Sequence, residues 1–187
     1  MAREILVLAS NWRDYFVVRD YLAGAATDTD VEAVDSDALA VLASWPTILV
    51  WIACGVAFLV WLWRARINAE LNNDAAVQRR SRGWVVGAWI APVVNLWYPY
   101  QIVSDIWRAS SPRPPAPVAL INAWWAAFVA AGLVKPIQWR LAEQESSLPD
   151  VLGNANMSTL LTGLDVVAGT LLILVIRRIT AWQNQVA

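Results

Sequence analysis

The chain has 187 residues, of which 58% are hydrophobic and only 16% are charged, and its mean hydropathy is +0.45. About a quarter of the residues of an ordinary soluble domain are charged, so this composition argues against that class and predicts an all-α integral membrane helical bundle. The net charge is only −1 and histidine is absent, which removes Ser-His and Cys-His catalysis, the usual haem ligands and most zinc sites.

The first segment, Ile5 to Ala23, is ambiguous. One side of the helix it would form is rich in aromatic residues, yet Arg19 falls on that same side, and no signal peptide precedes it. We expect either a helix packed against the bundle at the membrane interface or a poor span. With the linker that follows, it forms an N-terminal segment, 1–38, ahead of a membrane domain, 39–187.

The linker that follows is expected to be external and is strongly acidic, with five acidic residues and no basic residue between Thr27 and Asp37. Alternating carboxylates suggest a calcium loop, but the sixth and twelfth positions are Ala33 and Leu39 instead of Gly and Glu. Residues 29–32 fit better as a capping box that begins a short helix. No metal is therefore expected here.

The longest apolar stretch runs from Leu39 to Trp63 and is long enough to cross the ~30 Å hydrocarbon core. Five arginines follow within a short distance. Short arginine-rich loops stay in the cytoplasm, so this junction predicts the cytoplasmic face of a cell membrane. The arginines are Arg64, Arg66, Arg79, Arg80 and Arg82.

The next segment, Trp84 to Trp107, is apolar at first and is then interrupted by Pro92, Asn95 and Pro99. Proline kinks a helix, and lipid does not tolerate exposed broken backbone, so we expect a re-entrant or Pro-kinked segment that is shielded from lipid. If the segment re-enters, every basic cluster lies on one face of the membrane. If it crosses, the clusters from Arg108 onward lie outside. The positive-inside rule favours re-entry, and short kinked helices that cross keep the second topology open.

Two further spans are predicted at 117–139 and 158–178. Lys135 and Asp165 lie within them, and an isolated carboxylate in hydrocarbon costs at least ~2.5 kcal/mol, so we expect the two to pair across the helices. A structural ion pair is favoured over a proton or ion pathway. Small residues that would let another helix approach closely are Gly55, Ala57, Gly132 and Gly169.

Several motifs in the middle of the chain resemble a known family. They are Arg64-Ala65-Arg66-Ile67-Asn68-Ala69-Glu70, Arg80-Ser81-Arg82-Gly83-Trp84, Gly87-Ala88-Trp89-Ile90-Ala91-Pro92-Val93-Val94-Asn95-Leu96-Trp97 and Asp105-Ile106-Trp107-Arg108. They are similar to those of the bacterial multi-pass membrane family catalogued as domain of unknown function 4328. The likeness covers about residues 39–183. It implies a multi-pass membrane protein and supplies no activity.

Arginine and tryptophan residues of this region predict a collar at the cytoplasmic headgroups, which would anchor helices and attract anionic lipid at about 1 kcal/mol per basic residue. The residues of this Arg/Trp collar are Arg64, Arg66, Arg80, Arg82, Trp84, Trp107 and Arg108. Polar side chains that a simple anchor would not need are Asn68, Glu70, Asn95 and Gln101, and of these we expect Asn68 and Asn95 to be intramembrane polar residues, as Lys135 and Asp165 are.

We therefore expect a non-enzymatic scaffold or accessory subunit that binds anionic membrane lipid and a protein partner, with no catalytic residue and no cofactor. The alternative is a small homo-oligomeric transporter or channel that uses Asp165 and Asn95. Nucleic-acid binding is not expected, because the arginines lie at the ends of spans instead of on a soluble basic face.

Overall fold

The computed structural model describes residues 2–27, 38–72, 78–112, 116–143 and 148–185. These ranges are almost entirely helical and contain no strand, which confirms the all-α prediction. The acidic linker and its capping box lie outside the described residues. The helices are α1 (Ala2–Leu22), α2 (Ala38–Asn72), α3 (Trp84–Ile90), α4 (Tyr98–Ser110), α5 (Ala119–Glu143) and α6 (Leu148–Asn184).

Three of the described helices are long and apolar enough to cross a membrane. The apolar regions are Ile48–Leu71 of α2, Ala119–Arg140 of α5 and Asn156–Asn184 of α6. The shortest of them has 22 residues, or about 33 Å at ~1.5 Å per residue, which exceeds the ~30 Å hydrocarbon core. The three predicted spans are thus confirmed as helices, and α1 is not one of them.

Helix α2 does not end where the apolar run ends. It continues past Arg64 and Arg66 for about two further turns, to Asn72. Ala65 and Ala69 are buried, so this extension packs against the rest of the protein on its small-residue face. The Arg64–Arg66 pair therefore belongs to the final turns of a helix, whereas the sequence pattern suggested the start of a loop.

The Pro-containing segment forms a kinked helical segment, which we call the hairpin and define as α3, the turn after it and α4. Whether it re-enters or crosses a membrane stays a prediction. Helix α3 stops because Ala91 adopts the extended conformation that a residue before proline prefers, with ψ 116°. A 3-10 turn, Val94–Leu96, follows, and Pro99 occupies the first turn of α4, where its missing N–H costs nothing. The rings of Trp84 and Tyr98 lie 4.8 Å apart, so the chain returns to the place where it left. This confirms the re-entrant or kinked segment.

The chain forms two compact units. The first comprises Met1–Val50 with Ala130–Val166, and the second comprises Trp51–Val129 with Val167–Ala187. Each of the three long helices contributes one part to each unit. The division of the sequence at residue 38 stays a prediction.

The second unit has a buried core to which five helices contribute. Trp107 and Trp124 are its largest buried side chains, and α4 presents nearly a whole face to it. Because small residues of α2 and α3 face this core, the hairpin packs closely on α2. The core residues are Leu62, Ala65 and Ala69 of α2, Val85 and Ala88 of α3, Ile102, Val103, Ile106, Trp107 and Ala109 of α4, Ile121 and Trp124 of α5, and Val175 and Ile179 of α6.

In the first unit, polar side chains join the helices. The indole Nε1 of Trp12 in α1 donates to Thr159 Oγ1 at 3.0 Å, and Gln138 Nε2 donates to Ser158 Oγ at 2.7 Å. Val18 of α1 is fully buried, so this helix packs against its unit. Burial of one side and exposure of Arg13 and Arg19 on the other suit an interfacial helix.

Candidate functional site

The candidate site is the arginine-rich part of the second unit, where the end of α2 meets the hairpin. Glu70 lies at its centre and bridges two arginines. Its Oε1 accepts from Arg66 Nε at 2.6 Å, one helical turn away, and its Oε2 accepts from Arg82 Nε at 2.7 Å. Arg66 is only 4% exposed, so Glu70 supplies the negative charge that makes burial of this guanidinium tolerable. Arg82 remains exposed.

A second ion pair holds the loop before α3 on the polar side of α4. Asp105 is 2% exposed and accepts from the backbone N–H of Arg79 at 3.0 Å and from its Nε at 2.9 Å. Arg79 Nη2 also donates to Ser104 Oγ at 2.9 Å. One carboxylate thus fixes both the main chain and the side chain of Arg79.

Arg80 makes further contacts between the loop before α3 and α4. Its Nε donates to Gln101 Oε1 at 2.8 Å, and its guanidinium carbon lies 3.9 Å from the centre of the Tyr98 ring, a cation–π contact. The carbonyl oxygen of Arg80 accepts from Arg66 Nη2 at 2.8 Å. The two ion pairs and this contact connect α2, the loop and the hairpin.

Gln183 connects α6 to α2 and to the end of α4. Its side-chain Nε2 donates to the Ala65 carbonyl at 2.9 Å and to Ser110 Oγ at 2.8 Å, and its Oε1 accepts from Asn68 Nδ2 at 3.3 Å. A single buried amide therefore contacts both α2 and the end of α4. Asn68, predicted as an intramembrane polar residue, serves as one of its partners.

Trp107 is buried in the core of the second unit. Its Nε1 donates to the Pro117 carbonyl at 3.1 Å, and its ring contacts Trp182 at 4.6 Å between centroids. The guanidinium of Arg178 lies 5.5 Å from the Trp182 ring and 5.9 Å from the Trp107 ring. Trp107 thus anchors α4 on α6, and Trp84 similarly packs on Tyr98.

We call the contacts of Arg66, Arg79, Arg80 and Arg82 the arginine network. Three other arginines of the second unit are not part of it. Arg64, Arg108 and Arg177 are exposed and, within the described ranges, have no acidic partner. The predicted collar residues therefore fall into two groups. Arg66, Arg80 and Arg82 bind other parts of the chain, whereas Arg64 and Arg108 present an unneutralised charge.

The predicted ion pair between spans is present in the first unit. Lys135 Nζ lies 2.9 Å from Asp165 Oδ1 and equally close to Oδ2. The pair is partly exposed, since 44% of the Lys135 side chain and 23% of the Asp165 side chain are accessible. Its function as a structural pair or as part of a pathway stays a prediction.

Asn95 lies in the 3-10 turn of the hairpin, in the second unit. Its side-chain Oδ1 is buried and has no hydrogen-bond partner among the described residues. Asn95 and Asp165 thus belong to different units. Within the described ranges, no group of three or more Cys, Asp or Glu side chains is placed to hold a metal ion.

Three residues that organise the site were not identified as site residues by their sequence pattern: Arg79, Asp105 and Gln183. A signal for Asp105 exists, because it is the single acidic residue between Asp74 and Glu143 and sits in an arginine-rich region. No pattern marks Gln183, whose partners are 73 and 118 residues away.

A family model described as "Domain of unknown function (DUF4328)" matches residues 25–181. The match covers the whole arginine network but does not extend to Gln183. No curated protein and no solved structure matches the chain.

Proposed function

The chain belongs to the family described as domain of unknown function (DUF4328), and we propose that it is a non-enzymatic membrane scaffold or accessory subunit that binds anionic lipid headgroups and a protein partner. The observation that carries this proposal is that some arginines of the second unit bind other parts of the chain, whereas others are exposed. The buried network fixes the hairpin, and Arg64, Arg108 and Arg177 remain exposed and unpaired within the described residues. Charges that have no acidic partner in the described part of the chain are the best candidates to meet a ligand.

Arg64 and Arg177 are placed to contact lipid. Arg64 lies between Trp61 and Asn68 on α2, and both of these side chains bond to α6, at Thr180 and Gln183 respectively. Arg177 lies one turn before Thr180. By helical spacing, both arginines therefore flank the seam between α2 and α6.

This seam lies on the sides of helices that are long enough to span a membrane, so its flanking arginines face lipid headgroups. Trp63, next to Arg64, is 38% exposed, as expected of an indole at the interface. Each basic residue near an anionic surface contributes about 1 kcal/mol.

The charge of each unit supports a cytoplasmic position for the arginine-rich end. Counted over the sequence, the first unit has five basic and twelve acidic residues and a net charge of −7, whereas the second has nine basic and three acidic residues and a net charge of +6. The positive-inside rule counts Lys and Arg and gives little weight to Asp and Glu, so the nine basic residues of the second unit against five in the first favour a cytoplasmic position for its helix ends in a cell membrane.

Single-cysteine labelling tests this orientation. In a Cys54→Ser background, a cysteine at exposed Ser81 should resist an impermeant maleimide added to intact cells, and one at exposed Ala25 should react. The opposite pattern would refute the cytoplasmic assignment.

Lipid preference is measurable by quenching of tryptophan fluorescence with brominated lipids in reconstituted vesicles. Brominated phosphatidylglycerol should compete for the protein surface more effectively than brominated phosphatidylcholine, and the double variant Arg64→Gln, Arg177→Gln should lose most of this preference. The matched control, Arg13→Gln with Arg19→Gln, also removes two exposed charges, but these are paired with Asp14 and Asp20. Equal effects of the two double variants would contradict the proposal.

A transporter or channel is the second candidate function, and the partial exposure of the Lys135–Asp165 pair favours it. An ion pair on otherwise apolar helices is expected to face a bundle interior or water. Purification in mild detergent with mass determination separates the two functions. Stoichiometric protein partners support the accessory role, and a homo-oligomer whose ion flux in vesicles is abolished by Asp165→Asn supports the transporter.

A further inference from the structure

We propose that the outward face of α4 is a docking surface for an acidic helical segment of a protein partner. The proposal rests on the proposed scaffold function and gives the partner its chemistry. It concerns a different surface from the lipid-facing seam between α2 and α6.

Helix α4 lies across the ends of two long helices of its unit. Tyr100, near its beginning, donates its hydroxyl to Asn122 in the first turn of α5 at 2.8 Å. Ser110, its last residue, bonds to Gln183 in the final turn of α6. Helix α4 thus contacts both of these helix ends, and its buried residues Val103 and Ile106 face the core of the unit. By helical spacing, Gln101 and Asp105 lie on the opposite side of α4 from these two core residues.

That opposite side carries a row of guanidinium groups. Arg80 lies over Tyr98 and Gln101, and Arg79 lies over Ser104 and Asp105. Arg108 belongs to α4 itself and is three residues after Asp105, so it continues the same face one turn further on. We call Arg79, Arg80 and Arg108 the α4 arginine row.

The row keeps a positive charge. Its three arginines are opposed only by Asp105 among the described acidic side chains near them, and Asp105 is itself covered. Arg79 is 45% exposed and Arg108 is exposed, so both charges reach the surface. An anionic partner is therefore the complementary ligand.

Spacing and direction favour an acidic helix over lipid. The partners of the row recur about once per turn of α4, or about 5.4 Å, which is the spacing of carboxylates at i and i+4 on another helix. The row lies on the side of α4 opposite its core residues, whereas Arg64 and Arg177 lie on the sides of the long helices. Helix α4 is also not among the helices long and apolar enough to cross a membrane, so a protein segment is the better match for the row than a lipid.

The probe is a fluorescein-labelled helical peptide with glutamate at every fourth position, titrated onto the full-length protein in nanodiscs of phosphatidylcholine only. We expect saturable binding by fluorescence anisotropy, weakened two- to fivefold by Arg108→Gln and more by Arg108→Glu, as for exposed charge pairs. Raising the salt concentration should weaken it further. Arg108 is exposed and makes no hydrogen bond or ion pair within the described residues, so its variants should keep the melting temperature of the parent.

Arg177→Gln is the matched control, since it removes an exposed, unpaired arginine of the same unit outside the row. Absence of saturable binding overturns the proposal, as does an equal loss with Arg177→Gln. A third outcome also overturns it: if Arg108→Glu removes the preference for brominated phosphatidylglycerol and leaves peptide binding unchanged, the row is a headgroup site. Failure of the lipid experiment on Arg64 and Arg177 would leave the peptide result intact, so the two proposals fail separately.

Discussion

Replacing Asp105 with asparagine should destabilise the second unit by loosening the loop before α3. The carboxylate accepts from the backbone N–H and Nε of Arg79, and its Oδ1 lies 2.8 Å from Nη2 of the same guanidinium. A hydrogen bond to a charged group contributes ~1.5–3 kcal/mol, and breaking a fully buried ion pair costs ~3–5 kcal/mol. Because Arg79 is nearly half exposed and its guanidinium can regain water, we expect a smaller loss, about 2 kcal/mol.

Thermal unfolding in detergent, followed by tryptophan fluorescence, measures this loss. For 150–250 residues, 1 kcal/mol corresponds to ~2–4 °C, so Asp105→Asn should lower the melting temperature by about 4–8 °C. The matched control is Asp20→Asn, which breaks a pair with Arg19 that is about half exposed on both sides, and it should shift the temperature by less than about 2 °C.

A local readout separates loosening of the loop from general instability. Trypsin should cut after Arg79 or Arg80 faster in Asp105→Asn than in the parent, because the bonds of Arg79 to Asp105 and of Arg80 to Gln101 hold this stretch on α4. If Asp105→Asn and Asp20→Asn have the same melting temperature and are cut at the same rate, the Arg79–Asp105 pair contributes little to stability and the reasoning is refuted.

Two further predictions concern the other ion pairs. Glu70→Gln should lower the melting temperature more than Arg82→Gln, because it leaves the buried guanidinium of Arg66 without its negative partner, whereas Arg82 is exposed. Similar shifts for the two variants would show that Arg66 does not depend on Glu70. For the pair between spans, the double variant Lys135→Met, Asp165→Leu should be more stable than Asp165→Leu or Lys135→Met alone, since each single change removes one member of the ion pair and keeps the other charge on an apolar helix. Melting of all four proteins provides the cycle, and additive effects would mean that the contact is not coupled.

The membrane architecture was predictable from the sequence because its signals are local. Runs of apolar residues set the three long helices, and Pro92 and Pro99 set the two interruptions of the hairpin. The pairing of Lys135 with Asp165 also followed from a local rule, the cost of an isolated charge in hydrocarbon.

Which arginines are buried in the network and which are exposed was not predictable in the same way. Arg64 and Arg66 look alike in the sequence, yet a difference of two positions places one on the exposed side of α2 and the other in the buried network. Whether an arginine faces lipid or a carboxylate depends on partners such as Asp105, 26 residues from Arg79. Helical periodicity alone does not specify those partners.

The contacts of Gln183 also bear on the order in which the protein is made. Its amide joins Ala65 across 118 residues, and at a synthesis rate of ~5–20 residues per second about 6–24 s separate the two on the ribosome. During that interval α2 and the hairpin exist without the amide that ties them to α6. Closure of this end of the second unit therefore has to wait for α6, and until then Ala65, Asn68 and Ser110 lack this partner.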